Sequence, residues 1–229
     1  PPTADPADFT HKVVGDLHWV LTSPHLLAPN AIVPTLPDEQ AARIAARSHL
    51  WLAALDADPS PLLEFLQSQR NVRRLGFYFA SLLEFWVRAS PAIGVTDAER
   101  QLLVQQQVHE GLGGAVLGEL KCVFAPSSAD VRHWESHIKF FAFAGTPAAD
   151  GGQADGDAAH RRLGSYVGPF LGENLLHRVL ELQRKLAITD APNVRSFLGR
   201  RFGRPQPLTA VKQESVLRGW LFYPLGSAR

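Results

Sequence analysis

At 229 residues the chain is long enough to bury roughly 70–75% of its unfolded surface without cross-links. Hydrophobic residues make up 45%, charged residues 20%, and the formal net charge is +1, so bulk charge announces neither nucleic acid nor membrane. No stretch approaches the ~18–20 apolar residues of a membrane-spanning helix, and the lone cysteine, Cys122, excludes an intrachain disulfide or a cysteine-rich zinc site.

A single cysteine fits a reducing compartment. The sequence contains no Met, which suggests an excised domain or a processed chain. The opening "PPTADPADFT" is polar and Pro-rich and has no signal-peptide hydrophobic region, although a removed targeting segment is compatible with it. Residues 1–8 read as a disordered lead-in, and 9–229 as one domain. Within it, 9–60 form a helical extension and 61–229 the core.

In chain order, Val13, Leu17, Val20 and Leu21 fall at helical spacing up to Pro24. A second helix is expected from Asp38, its candidate N-cap, to Leu55, with Pro59 and Pro61 beyond it. One or two helices follow, with Leu75, Phe79, Leu82 and Trp86 on one stripe and Pro91 as the stop. The pattern then changes period. Residues 102–110, 115–124 and 131–143 read as an antiparallel three-stranded meander, divided by "GLGG" and "APSSAD". A helix competes for 131–143 because Glu135 and Lys139 are spaced i,i+4, but Trp, Ile and Phe favour a strand.

Residues 144–162 are rich in Ala, Gly and Asp and read as a mobile insertion that buries no core. Residues 172–188 form an amphipathic helix with Leu175, Leu176, Val179, Leu180 and Leu186 inward, and 195–205 a basic loop. The last strand spans 215–224 and is closed by Pro224. The order after the extension is α-β-β-β-α-β, an α/β or α+β arrangement with helices covering a sheet.

The chemistry concentrates in "GELKCVFAPSSADVRHWESHIKFF" (118–141). Side chains alternate faces along a strand, so His133, Glu135, His137 and Lys139 share one face of the third strand. On the second strand Glu119 and Lys121 share a face with Val123. Carboxylates from adjacent strands beside a lysine suit a Mg²⁺ site that activates water for phosphodiester cleavage. The His133-x-Glu135-x-His137 run is a rival transition-metal pattern, with His109 as a further ligand, although solvated or hydrogen-bonded histidines are the simpler reading. Arg195, Arg200, Arg201 and Arg204, interleaved with Phe197 and Phe202, form a candidate nucleic-acid contact; the simpler reading is a solvated loop with the Phe rings packed inward. Cys122 reads as a small core residue.

The pieces "DLHWVLTSPHLL", "RLGFYF", "LGEL", "HWESHIKFF", "YVGPFL" and "RGWLFYPL", in order from about residue 16 to 225, resemble the bacterial family catalogued as domain of unknown function 1853. More broadly, "GEL" and "WESHIK" on successive strands resemble the PD-(D/E)xK nuclease-like superfamily. The resemblance implies a restriction-endonuclease-like αβββαβ core, Mg²⁺ held by Glu119 and Glu135, and catalytic roles for Glu119, Glu135, Lys139 and Glu84 in cleaving nucleic acid. The chain departs from the pattern. Lys121 stands where the metal-binding Asp is expected, His137 occupies the usual lysine slot, and Ala80 replaces a Glu after "YF", with Glu84 one turn later. Two readings follow: a Mg²⁺-dependent nuclease with a degenerate site, or a non-catalytic nucleic-acid-binding or scaffold module on the same fold. No dimer seam is readable.

Overall fold

The computed structural model describes residues 9–28, 32–93, 95, 101–110, 114–127, 130–145, 156–204 and 208–224. The fold is mixed α and β. Four helices lead, α1 (Lys12–Thr22), α2 (Asp38–Ala57), α3 (Ser60–Ser68) and α4 (Leu75–Ala89), before the meander β1 (Leu102–His109), β2 (Val116–Phe124) and β3 (Arg132–Phe143). Then come α5 (Gly156–Gly164), the short β4 (Tyr166–Val167), α6 (Leu175–Ala187), a 3₁₀ turn (Ile188–Asp190), α7 (Pro192–Arg201) and β5 (Lys212–Phe222). No helix among the described residues is long and apolar enough to cross a membrane.

The five strands form one mixed sheet. β1–β2, β2–β3 and β3–β4 are antiparallel, whereas β5 runs parallel to β3 over eleven registered pairs from Arg132↔Lys212 to Ala142↔Phe222. A parallel neighbour requires a crossover, and α6 with α7 supplies it. The α-β-β-β-α-β order expected from the sequence is therefore present, and 132–143 is a strand rather than a helix.

Helices cover both faces of the sheet. On one, α1–α4 bury Leu17, Leu52, Leu62, Phe79 and Trp86 against Phe124, Trp134 and Val216. On the other, α6 presents Leu175, Val179, Leu182 and Leu186 to Phe141 and Leu217, while α7 places Val194 and Leu198 against Leu120 and Val123. The α6 stripe differs from the expected one: Leu180 is 47% exposed and Leu182 fully buried. Of the α4 stripe, Leu75 is exposed at the helix entry.

Other expectations change as well. The N-cap of α2 is Pro37, and Asp38 is the first helical residue. The basic segment 195–205 is mostly helix, not loop, because Pro192 at the first turn initiates α7. Residues 156–164 of the expected insertion are the helix α5; residues 146–155, like the lead-in 1–8, lie outside the described residues.

The free edge of β5 is covered by the segment after α1. Leu26 and Leu36 donate backbone N–H to the carbonyls of Leu217 and Ser215, and Ser215 N–H donates to the Pro34 carbonyl. The Leu217 N–H is met by a side chain, His25 Nε2, at 2.9 Å.

Candidate functional site

One row of the sheet is irregular. Gln105 of β1 has φ +50°, a conformation uncommon for a residue other than glycine. It falls opposite Lys121 in the β1–β2 register, between the pairs Val104↔Cys122 and Gln106↔Leu120. The registered β2–β3 pairs run from Phe124↔Arg132 only as far as Cys122↔Trp134. Instead of bonding to the β3 backbone, Lys121 N–H donates to the carboxylate Oε1 of Glu135 at 3.1 Å.

This row inverts the alternation of side chains. Leu120, one residue before it, packs on the same side as Val123, with α7. Lys121 and Cys122 both line a small pocket on the α4 side, together with Ala80, Leu83, Glu84, Val104, Gln105, Trp134 and Ser136. By alternation Glu119, which is exposed, also belongs to the α4 side. The expected shared face of Glu119, Lys121 and Val123 is thus broken. β3 keeps its period, so His133, Glu135, His137 and Lys139 do share one face, the face covered by α6 and α7.

On that face Glu135 is 1% exposed. Its Oε1 accepts from His133 Nε2 at 3.2 Å as well as from Lys121 N–H, and its Oε2 lies 3.7 Å from His137 Nε2. Burial pushes the Glu135 carboxyl up, but the N–H groups of His133 and His137 outweigh it and hold the group well below the usual carboxylate range. Burial pushes His137 down, and the charges of Lys121 and Arg178 lower it further against the opposing pull of Glu135. His137 is thereby held toward its neutral form, and at 3.7 Å its Nε2 lies beyond hydrogen-bond distance of Glu135 Oε2.

Lys139 continues the face and is bound to the segment that leads into α6. Its Nζ donates to Glu173 Oε2 at 2.7 Å. Arg178 pairs with the other oxygen of Glu173 and donates to Glu181 Oε2 at 2.6 Å, and Lys185 completes the chain to Glu181 at 3.0 Å. Burial raises both carboxyls, but Lys139 and Arg178 at Glu173, and Lys185 and Arg178 at Glu181, leave each of them lowered. Charges on β3 and α6 thus satisfy one another.

The predicted site residues are therefore not brought together. Glu135 and Lys139 lie on the α6 side. Glu84 lies on the α4 side, lines the pocket and pairs with Arg88 at 2.8 Å. Among the described residues Glu119, exposed on β2, forms no hydrogen bond or ion pair with any of them. Among the described residues no three His, Cys, Asp or Glu side chains are grouped to hold a metal ion, the His133–Glu135–His137 run included. The implied Mg²⁺ does not fit. One oxygen of Glu135 is occupied by two donors, and the neighbouring carboxylates are held by Arg178 and lysines. A cation, Lys121, stands at the remaining expected ligand position.

The α7 arginines are largely engaged. Arg195 pairs with Asp190 at 2.9 Å and donates to the Thr189 carbonyl, Arg204 donates to the Ser127 carbonyl at 2.7 Å, and Arg201 has a partner within the chain. Arg200 is exposed. Phe197 and Phe202 pack against the α7 core. Cys122 is a buried thiol, pushed up first by burial and then by the charges of Glu84 and Glu135.

Two buried ions carried no sequence signal beyond their place on a strand. Glu214 of β5, 2% exposed, accepts from Trp134 Nε1 at 2.9 Å and pairs with Lys212 at 2.8 Å. Arg218, 1% exposed, faces Asp38 at 3.6 Å. Comparison with curated proteins and with solved structures gives no match. A family model does match, over residues 15–229, nearly the whole chain. The chain belongs to the family described as a domain of unknown function, DUF1853.

Proposed function

We propose that this chain is a non-catalytic nucleic-acid-binding module on a nuclease-like αβββαβ scaffold. The observation that carries the reading is the state of Glu135: buried, ionised, and spent on the peptide N–H of Lys121 and the ring of His133. A carboxylate so placed fixes the splayed row of the sheet and has one oxygen left for a metal. A Mg²⁺ ion needs several oxygen ligands, and the remaining expected positions hold a lysine and an alanine, Lys121 and Ala80. The resemblance to nuclease-like proteins supports nucleic acid as the partner class, and the ion pairing of Lys139 to Glu173 argues against a role for that ammonium at a scissile phosphate.

The test combines three measurements on the wild-type protein. Plasmid, single-stranded DNA and RNA incubated with Mg²⁺ or Mn²⁺ are expected to remain intact. Titration with Mn²⁺ is expected to give no binding heat. Binding of labelled oligonucleotides is expected to persist in EDTA. Metal-dependent cutting that disappears in Glu135→Gln would establish the nuclease reading instead, and absence of oligonucleotide binding at low salt would remove nucleic acid as the partner.

A further inference from the structure

Five arginines of the described residues form ion pairs within the chain. Arg88 pairs with Glu84, Arg132 with Asp130, Arg178 with Glu173 and Glu181, Arg195 with Asp190, and Arg218 with Asp38. The turn between α3 and α4 is different. Arg70, Arg73 and Arg74 are all exposed, and none has an acid within ion-pair distance among the described residues. The first turn of α4 contributes no acid. The nearest acids along the chain are Glu64, exposed on α3, and Glu84, already held by Arg88.

These arginines stand on a built turn rather than a loose loop. Asn71 adopts φ +59°, a conformation asparagine tolerates better than most residues. Arg74 N–H donates to the Asn71 carbonyl, and the Arg74 carbonyl accepts from Phe77 and Tyr78. Tyr78 O–H donates to Asp16 at 2.8 Å, tying the base of α4 to α1. Leu75, 46% exposed, and Phe77, 37% exposed, flank the arginines.

We infer that this turn is a contact surface for single-stranded nucleic acid, with Arg70, Arg73 and Arg74 on phosphates and Phe77 against a base. The inference rests on the reading of the chain as a nucleic-acid-binding module and moves the contact from α7, where the arginines are largely engaged, to the α3–α4 turn. Three like charges held within five residues repel one another until an anion neutralises them, and a phosphodiester chain supplies negative charge at regular spacing. The guanidinium fork matches a phosphate with two donors at once. An exposed aromatic ring beside such a stripe is what single-strand binding uses for base stacking.

The experiment measures anisotropy of a labelled 15-nucleotide single-stranded DNA, its RNA counterpart and the matching duplex across a salt series. Arg70→Ala/Arg73→Ala/Arg74→Ala is expected to weaken single-strand binding by at least tenfold at low salt. Losing three phosphate contacts at ~0.7 each is expected to make the slope of log K against log salt shallower by about 2. Phe77→Ala is expected to weaken single strands and spare the duplex. As a charge-matched control, Arg47→Ala/Arg162→Ala/Arg184→Ala, also at exposed positions, is expected to stay within threefold of wild type. Thermal melts check that both triple variants fold.

Wild-type affinity in the first triple variant overturns this surface and leaves the module reading intact; no wild-type affinity overturns both. An equal loss in the control variant overturns the surface in favour of net charge. Tighter binding to vesicles containing phosphatidylserine than to the oligonucleotides, lost in the first triple variant, reassigns the turn to an anionic membrane.

Discussion

Two residues, the half-buried His25 and the buried Glu135, tie the stability of this protein to pH in different windows. Both ring nitrogens of His25 face backbone N–H groups, Leu217 at Nε2 and Leu27 at Nδ1; the neutral ring can accept from one of them, and a doubly protonated ring from neither. Burial first, and the Arg218 charge second, push its pKa from 6.5 down to about 4. A histidine depressed in the folded state stabilises above its unfolded pKa and loses that contribution as pH falls through the folded value. Between about pH 6.5 and 4 the protein is expected to lose about 3 kcal/mol from this residue, read by urea unfolding across pH. His25→Gln, which does not titrate and retains an acceptor, should flatten that arm.

Glu135 acts in a lower window. Its depressed carboxyl contributes stability above the ordinary carboxylate pKa near 4.5, lost as pH falls below it. At neutral pH, Glu135→Ala leaves Lys121 N–H and His133 without their acceptor and is expected to cost about 3 kcal/mol. Glu135→Gln, which keeps one carbonyl oxygen there, is expected to cost about half of that. A metal ligand would respond in the opposite sense. Removing an unneutralised acid from a cluster relieves repulsion in the metal-free protein, so stabilisation by Glu135→Gln would contradict the structural role assigned here.

Among the elements, β5 depends most on one backbone position. Gly219 has φ +139° and lies opposite Lys139, where an added Cβ would collide with the Lys139 carbonyl oxygen. Gly219→Ala is expected to cost ~3 kcal/mol or more, from backbone strain and displaced sheet pairing together, seen as a lowered urea midpoint. Gly76, on the first turn of α4 with open space around it, is the contrast. There Ala should be neutral or stabilising by ~0.5–1 kcal/mol.

Periodicity made the elements legible. The three strands of the meander and the helix 175–187 stand at or near their expected places because β-branched and aromatic runs and an amphipathic stripe fix them locally. The inverted row was not legible. A positive φ at Gln105 leaves no mark in the sequence, since glutamine signals no turn, yet it marks the row at which Leu120 comes to share a face with Val123. Glu119, reckoned from a regular alternation, lands away from Glu135 for the same reason. The partners of Lys139 were equally hidden. Glu173 and Arg178 lie more than thirty residues away, and their charge resembled that of any solvated helix face.

At the scale of the whole molecule the charges of Lys139, Glu173, Arg178 and Glu181 are internally balanced, and the α3–α4 turn groups three exposed arginines without an acid partner. The departures at Lys121 and Ala80 were readable from the sequence once the resemblance was drawn. That Glu135 is a structural anion needed the coordinates, because the same residue type at the same strand position serves either as a ligand or as a hydrogen-bond acceptor.

The covering of β5 also bears on how the chain reaches this state. β5 is the last strand among the described residues, its neighbour β3 lies about eighty residues earlier, and its free edge is met by Leu26, Pro34 and Leu36, which lie roughly 180 residues before it. Pairings that span so much chain slow folding, because loop closure precedes any reward from the contact. Until residues 212–222 have been synthesised, β3 has a bare side and the segment after α1 has nothing to cover. Between the synthesis of β3 and that of β5 the growing chain therefore carries an unpaired strand edge, and association with another copy competes with completion of its own sheet.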